Sequence, residues 1–168
     1  CPTSCALLSY AMTSAVEYLA PAELESVPAI EQSDAAALCS APLVSVLMLA
    51  YNHAEYVEQA VASVMDQQAP FAVELLIGED RSSDDTLAIC QDLQRRFPQC
   101  IRLISAETNV GIEANFLRLL CRARGRYIAM LEGDDYWTVS DKLAVQVAHL
   151  EAHPEYSWNG TRTANKKL

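Results

Sequence analysis

The sequence predicts an α/β fold, with one mainly parallel β-sheet and helices on both faces. Three observations carry this. From Leu43 onward, apolar runs of strand length alternate with segments of helical period, as in successive βα units. The first run, 43–49, is apolar apart from Ser45, as expected of a strand buried on both faces. The chain has 168 residues, 51% apolar and 20% charged, a composition typical of one globular domain. Such a chain buries roughly 70% of its unfolded surface, so neither disulfides nor a structural metal is needed to hold it.

Taken in order, residues 1–41 are rich in Ala, Ser and Glu and show no sustained period beyond a short helix over 7–19. They read as an N-terminal appendage, residues 42–156 as the domain proper, and 157–168 as a tail. The first strand, 43–49, is followed by a helix over 54–67 whose Val57, Ala60, Val61 and Val64 form one stripe. The second strand is 73–77, and the next helix opens at Ser82-Ser83-Asp84-Asp85, where oxygen-bearing side chains can cap free N–H groups. That helix closes near Phe97-Pro98. A third strand, 101–104, leads through Asn109-Val110-Gly111 into a helix carrying Phe116, Leu119 and Leu120, with Gly125 as its C-cap. The fourth strand, 127–131, precedes Glu132-Gly133-Asp134-Asp135-Tyr136-Trp137, and a last helix runs over 140–152 and stops before Pro154.

Charge narrows the function. The chain has 12 Lys and Arg against 22 Asp and Glu, and residues 1–80 hold 11 acids and no Lys or Arg. Such a surface repels nucleic acid and anionic membranes, so no nucleic-acid partner is expected. A phosphate-bearing ligand would need positive charge from a divalent cation or from Arg118, Arg122, Arg124 and Arg126. The six cysteines show no CxxC pair and no zinc-finger spacing, and read as reduced thiols. The run 6–20 is too short for a bilayer span and lacks a basic n-region, so no transmembrane segment and no signal peptide are expected, and the chain's start at Cys1 suggests a fragment.

In an open α/β sheet, ligands bind beyond the carboxyl ends of the strands. The residues leaving the four strands are Ala50, Tyr51 and Asn52; Glu79 and Asp80; 107–111; and Glu132, Asp134 and Asp135. One Asp at such a turn is ordinarily a cap or turn former. Several on one rim repel each other unless protons or a cation intervene, and a hard Mg²⁺ or Mn²⁺ ion is the simplest resolution.

These segments resemble the inverting family 2 glycosyltransferases with the GT-A fold. The run from Val44-Ser45-Val46 to Ala50-Tyr51-Asn52-His53 is similar to their opening strand and "YN" turn. Residues Glu79-Asp80-Arg81-Ser82-Ser83-Asp84-Asp85-Thr86 resemble the "DDGSxDxT" segment. Asn109, Gly111 and Asn115 resemble the "NxG…N" helix start, and Glu132 to Trp137 the "DxD" element in its "EGDDYW" form. The resemblance implies a Rossmann-like sheet of order 3-2-1-4, counting from the strand at 43. It implies a nucleotide-diphospho-sugar donor, UDP- or dTDP-linked, with Mg²⁺ or Mn²⁺, and a glycan or lipid-linked acceptor. By the same analogy the Ala50-Tyr51 turn frames the base, Asn52, Asn109 and Gly111 complete the nucleotide site, and Asp80 accepts a hydrogen bond from the base. Asp134 contacts the ribose or the metal shell, and Asp135 binds the metal. The setting the resemblance implies is the cytoplasm, extending to a peripheral place on the inner face of the membrane.

Departures accompany the resemblance. Arg81 stands where the family has Gly, and Ala114 where many relatives have Arg. The acceptor half, which supplies the general base, has no counterpart here, so the alternative is a non-catalytic nucleotide-sugar-binding fragment. A phosphotransfer domain is disfavoured because the three lysines, 142, 166 and 167, all follow the fourth strand. The remaining polar residues have plain readings: His53 on a loop surface, His149 and His153 at helical spacing without a third ligand, Trp137 packed under the acidic loop, and the four late arginines on a solvated helix flank.

Overall fold

The computed structural model describes residues 6–7 and 27–160. Most of the expected helix over 7–19, the end of the tail, and Cys1 and Cys5 lie outside the described residues. Among those described, six strands form one sheet: β1 (Ala6–Leu7), β2 (Ile30–Gln32), β3 (Val44–Ala50), β4 (Val73–Glu79), β5 (Ile101–Ser105) and β6 (Tyr127–Glu132). Their order is β1-β6-β3-β4-β5-β2. The four central strands are parallel and stand in the expected 3-2-1-4 order, with Val44 opposite Val73 on one side and Tyr127 on the other. The described helices are α1 (Val57–Met65), α2 (Thr86–Arg96), α3 (Ile112–Leu120) and α4 (Lys142–Ala152). Among the described residues, no helix is long and apolar enough to cross a membrane.

Strand alternation divides the core. Val46, Met48, Leu75, Ile77 and Leu103 face one side with Val57, Val61 and Val64 of α1, Cys90 and Leu93 of α2, and Leu143 and Val147 of α4. Leu47, Leu49, Leu76, Ile104 and Ile128 face the other with Phe116 and Leu119 of α3. Each such side chain contributes about 1.5–3 kcal/mol when fully buried. Because β3 is buried along its whole length, its carboxyl end is a rigid platform for the residues that leave it. Free thiols at Cys39, Cys90 and Cys100 agree with the spacing argument, and burial pushes the Cys90 thiol up to about 12.

The structure departs from the expected boundaries in instructive places. Strand β4 runs to Glu79, so only Asp80 leaves it. Helix α1 begins at Val57 because the His53 carbonyl first accepts from Tyr56 N and Val57 N in a turn. Gly125 is not a helix cap: α3 ends at Leu120 with Cys121 as its C-cap. Glycine is required at 125 by close approach, since a Cβ there would lie 2.5 Å from Ser45 N and 2.7 Å from Val44 C.

Strand β2 lies inside the segment read as an appendage and closes one edge of the sheet, antiparallel to β5. It is fastened by a bidentate pair, Arg102 Nε to Glu31 Oε1 at 2.8 Å and Nη2 to Oε2 at 3.1 Å. Near the amino ends of β3 and β4, Glu74 is wholly buried. It accepts from Ser45 Oγ (2.6 Å), Arg124 N (2.7 Å), Arg124 Nε (2.8 Å) and Arg102 Nη1 (3.3 Å). This network ties three strands and the α3–β6 turn together at the end of the sheet away from the strand exits.

Candidate functional site

The carboxyl ends of β3, β4 and β6 and the start of α3 enclose a cavity of about 490 Å³. Its walls are Leu49, Ala50, Tyr51, His53, Asp80, Asn109, Gly111, Ile112, Asn115, Glu132 and Asp134. The fold therefore brings six of the expected residues together: Ala50, Tyr51, Asp80, Asn109, Gly111 and Asp134. Asn52 and Asp135 are not among the walls. A smaller cleft of about 250 Å³ lies between α1 and the loop 136–140 and holds none of the expected nucleotide-site residues.

Asn52 shapes the turn. With φ at +57° it occupies the left-handed region, which Asn tolerates better than most residues. Its Oδ1 accepts from Ser83 N (2.9 Å) and Ser83 Oγ (3.1 Å), and its N–H donates to Ser82 Oγ (3.0 Å). His53 N to Thr86 Oγ1 and Ala54 N to Asp84 Oδ2 continue the seam, so the β3–α1 turn is stitched to the β4–α2 loop.

Across that seam the buried Glu79 carboxylate accepts from Ser82 N (2.6 Å) and Arg81 N (3.2 Å). Arg81 is exposed and holds φ at +60°, the conformation for which glycine is suited. The turn is thus kept although its glycine is not. A left-handed non-glycine residue costs about 1–2 kcal/mol, partly offset by glycine's greater freedom when unfolded. Arg81→Gly is therefore expected to raise stability by up to about 1 kcal/mol, read as a higher urea midpoint at unchanged slope; a lower midpoint would refute it.

Asp80 organises the third exit. Its Oδ1 accepts from Val110 N (2.8 Å) and its Oδ2 from Gly111 N (2.9 Å), while Asn109 Nδ2 donates to the Asp80 carbonyl (2.8 Å). Gly111, at φ +84°, supplies the left-handed residue that presents these amides. A carboxylate offers about four acceptor positions, so two remain beyond these bonds.

Beneath Asp80 lies a residue whose setting the sequence reading missed. Arg118, expected on a solvated flank, is wholly buried. Its Nη2 donates to Glu79 O (2.7 Å) and its Nε to Asn115 Oδ1 (2.9 Å), and Nη2 stands 3.8 Å from Asp80 Oδ1. Burial pulls its pKa below the ordinary arginine value, while the Asp80 and Glu79 carboxylates oppose that pull. Asn115 in turn donates to Gly78 O (2.8 Å). The available signal was the i,i+3 spacing of Arg118 from Asn115, which puts both on one side of α3.

The fourth exit is acidic. Burial, followed by the Asp134 and Asp135 charges, holds the Glu132 carboxyl above the ordinary carboxylate range. His53 is half-buried rather than on the surface: Nε2 stands 4.0 Å from Asp134 Oδ2, and Nδ1 is buried without a hydrogen-bond partner. No three or more ligating side chains converge on a point among the described residues. This donor set fits a hard cation held by one or two carboxylates, with phosphate and water completing its shell, rather than an all-protein cage.

The other candidates have ordinary roles. Trp137 is partly buried, its backbone N–H donates to Ser63 Oγ (3.1 Å), and Lys142 Nζ lies 4.9 Å over its ring. His149 and His153 pack against each other and Tyr156. Glu151 is bonded to Tyr127 and Arg126, and Glu155 to His153.

A model of glycosyl transferase family 2 matches residues 45–167. An uncharacterized protein of Mycobacterium bovis is 43% identical over 111 residues, 66% of this chain and 32% of that protein. The putative teichuronic acid biosynthesis glycosyltransferase TuaG of Bacillus subtilis is 38% identical over 120 residues, 71% of this chain and 46% of TuaG. The crystal structure of S. aureus TarS in complex with UDP matches with a TM-score of 0.59 at 26% identity, covering 66% of this chain and 32% of that one. This chain thus spans less than half the length of these curated relatives.

Proposed function

The chain belongs to glycosyl transferase family 2, and on that premise we propose that residues 42–156, with their GT-A fold, form the donor-binding domain of a metal-dependent, inverting glycosyltransferase. The observation that carries this is the meeting of Tyr51, Asp80 and Asp134 around one cavity where the strand order reverses. The donor is a nucleotide-diphospho-sugar, UDP- or dTDP-linked. Ala50 and Tyr51 frame the base, Asp80 accepts a hydrogen bond from it, Asn52, Asn109 and Gly111 hold the surrounding turns, Asp134 addresses the ribose or the metal shell, and Asp135 holds the cation. When bound, Mg²⁺ or Mn²⁺ neutralises the diphosphate leaving group. An acceptor hydroxyl, on a glycan or lipid-linked sugar at the cytoplasmic side of a membrane, attacks the anomeric carbon in line and inverts it.

Deprotonating that hydroxyl needs a base. Asp141, Glu151 and Glu155 are the described carboxylates beyond Trp137, and none lines the cavity. We therefore assign the base to sequence outside these 168 residues, and expect them to bind donor without transferring sugar. Robust transfer by these residues alone would overturn that assignment.

Calorimetric titration with UDP, dTDP and GDP tests the donor reading. A diphosphate entering an acidic rim is expected to bind measurably in Mn²⁺ and at least tenfold more weakly in EDTA. Equal affinity in both would remove the cation from the proposal.

A further inference from the structure

We infer that Arg118 is a positioning residue for nucleoside recognition, holding Asp80 so that its carboxylate presents a free acceptor position to a base N–H in the cavity. The inference rests on the donor reading above and adds to it a residue outside the cavity walls.

The geometry gives Arg118 a second task besides bonding. A guanidinium buried among strand ends carries a desolvation cost of several kcal/mol, and an apolar side chain of similar size would pack α3 against β4 more cheaply. Its donors go to the carbonyls of Glu79 and Pro28 and to Asn115 Oδ1. All three partners are uncharged. Among the described residues the carboxylate within 4 Å of its charge is Asp80, at 3.8 Å and beyond hydrogen-bond reach, with the Glu79 carboxylate acting from farther off. Asp80 is therefore held by two kinds of group, the Val110 and Gly111 amides that bond it and the Arg118 charge beside its Oδ1. Arg118 is held equally firmly: Asn115 is anchored on Gly78 O, and a Cβ at Gly78 would come within 2.3 Å of Asn115 Oδ1. The contact with Pro28 O also joins the start of the strap that leads into β2. An ionised carboxylate is acceptor-only, so the class of base selected is one presenting an N–H at this point, such as an imide.

The test is titration of the protein with UDP in Mn²⁺ and, separately, with inorganic diphosphate in Mn²⁺, which has no base to read. Arg118→Lys keeps the charge but loses the planar fork. It is expected to weaken UDP binding roughly tenfold, the scale of one charge-assisted hydrogen bond, and to leave diphosphate affinity unchanged. In an Asp80→Asn background the same substitution should have no further effect on UDP. Equal losses for UDP and diphosphate, additive losses in the double variant, or unchanged UDP affinity would each overturn the inference. Without any ligand, exchange of the Val110 and Gly111 amides should accelerate in Arg118→Lys, and unchanged exchange overturns it even if a neutral variant such as Arg118→Gln fails to fold. Failure of the wild-type protein to bind any nucleoside diphosphate would sink the donor reading itself, and this inference with it.

Discussion

Glu74→Ala is expected to lower folding stability by about 3–5 kcal/mol, the scale for breaking a buried ion pair from one side. The Glu74 carboxylate is inaccessible to solvent and receives bonds from Ser45, Arg102 and both the backbone and side chain of Arg124. Removing it leaves the nearly buried Arg102 guanidinium without one of its two carboxylates and the Ser45 hydroxyl without its acceptor, and reduces the Arg124 N–H to its 3.2 Å bond to Ser45 Oγ. Arg102 still has Glu31, so the loss should not scatter the whole edge. Truncating the partly exposed Arg124 instead removes the solvated end of the same network, and should cost about 1 kcal/mol or less. Urea denaturation of the two variants compares them directly, and a Glu74→Ala loss below that of Arg124→Ala would mean that desolvation had already cancelled the network's value. Donor affinity should scarcely change in Glu74→Ala provided it folds. Glu74 and Asp80 lie six residues apart along an extended chain, which is about 20 Å.

That separation between a stabilising end and a binding end was only half visible in the sequence. The central strands were legible because 43–49, apart from Ser45, and 73–77, apart from Glu74, are apolar, and the 3-2-1-4 order followed from the resemblance. Strand β2 was not legible: three residues with Ile30 and Glu31 exposed carry no period, and only pairing with β5 makes them a strand. Gly125 followed a helical stretch and so resembled a cap, whereas its cause is the Ser45 backbone, a neighbour 80 positions away. Arg118 was misread for a physical reason. Amphipathic reasoning assigns a charged residue to solvent, and a buried guanidinium becomes reasonable only when the carbonyls of Glu79 and Pro28 and the Asp80 carboxylate are known to converge on it. The walls of the cavity were more accessible, since residues leaving parallel strands must gather at one rim. What the linear pattern could not supply was which of them face inward, and Asn52 and Asp135 do not line the cavity.

Asp135→Asn is expected to abolish the Mn²⁺-dependent part of nucleotide affinity, whereas Asp134→Asn weakens binding and leaves its metal dependence visible. The two residues are neighbours but not equivalents. Asp134 lines the cavity beside His53, where the proposed donor's nucleoside would lie, while Asp135 lies outside the walls, its N–H bonded to Glu132 O at 3.1 Å. A cavity that takes the nucleoside leaves the charged diphosphate at its mouth, so a ligand for the diphosphate's cation belongs on the rim rather than on the wall. Losing one charge-assisted hydrogen bond at Asp134 should cost about 1.5–3 kcal/mol, and losing a carboxylate ligand to a hard cation at least as much, with loss of the Mn²⁺ response as its signature. A second readout needs no ligand. Both Asp charges raise the Glu132 carboxyl, so either substitution should bring its titration down toward the ordinary range, by a partial amount because burial is the larger cause. Paired titrations in Mn²⁺ and EDTA decide the assignment: the opposite pattern would exchange the two roles, and an undiminished Mn²⁺ response in both variants would take the cation away from this loop, leaving the acidic rim to be neutralised by protons alone.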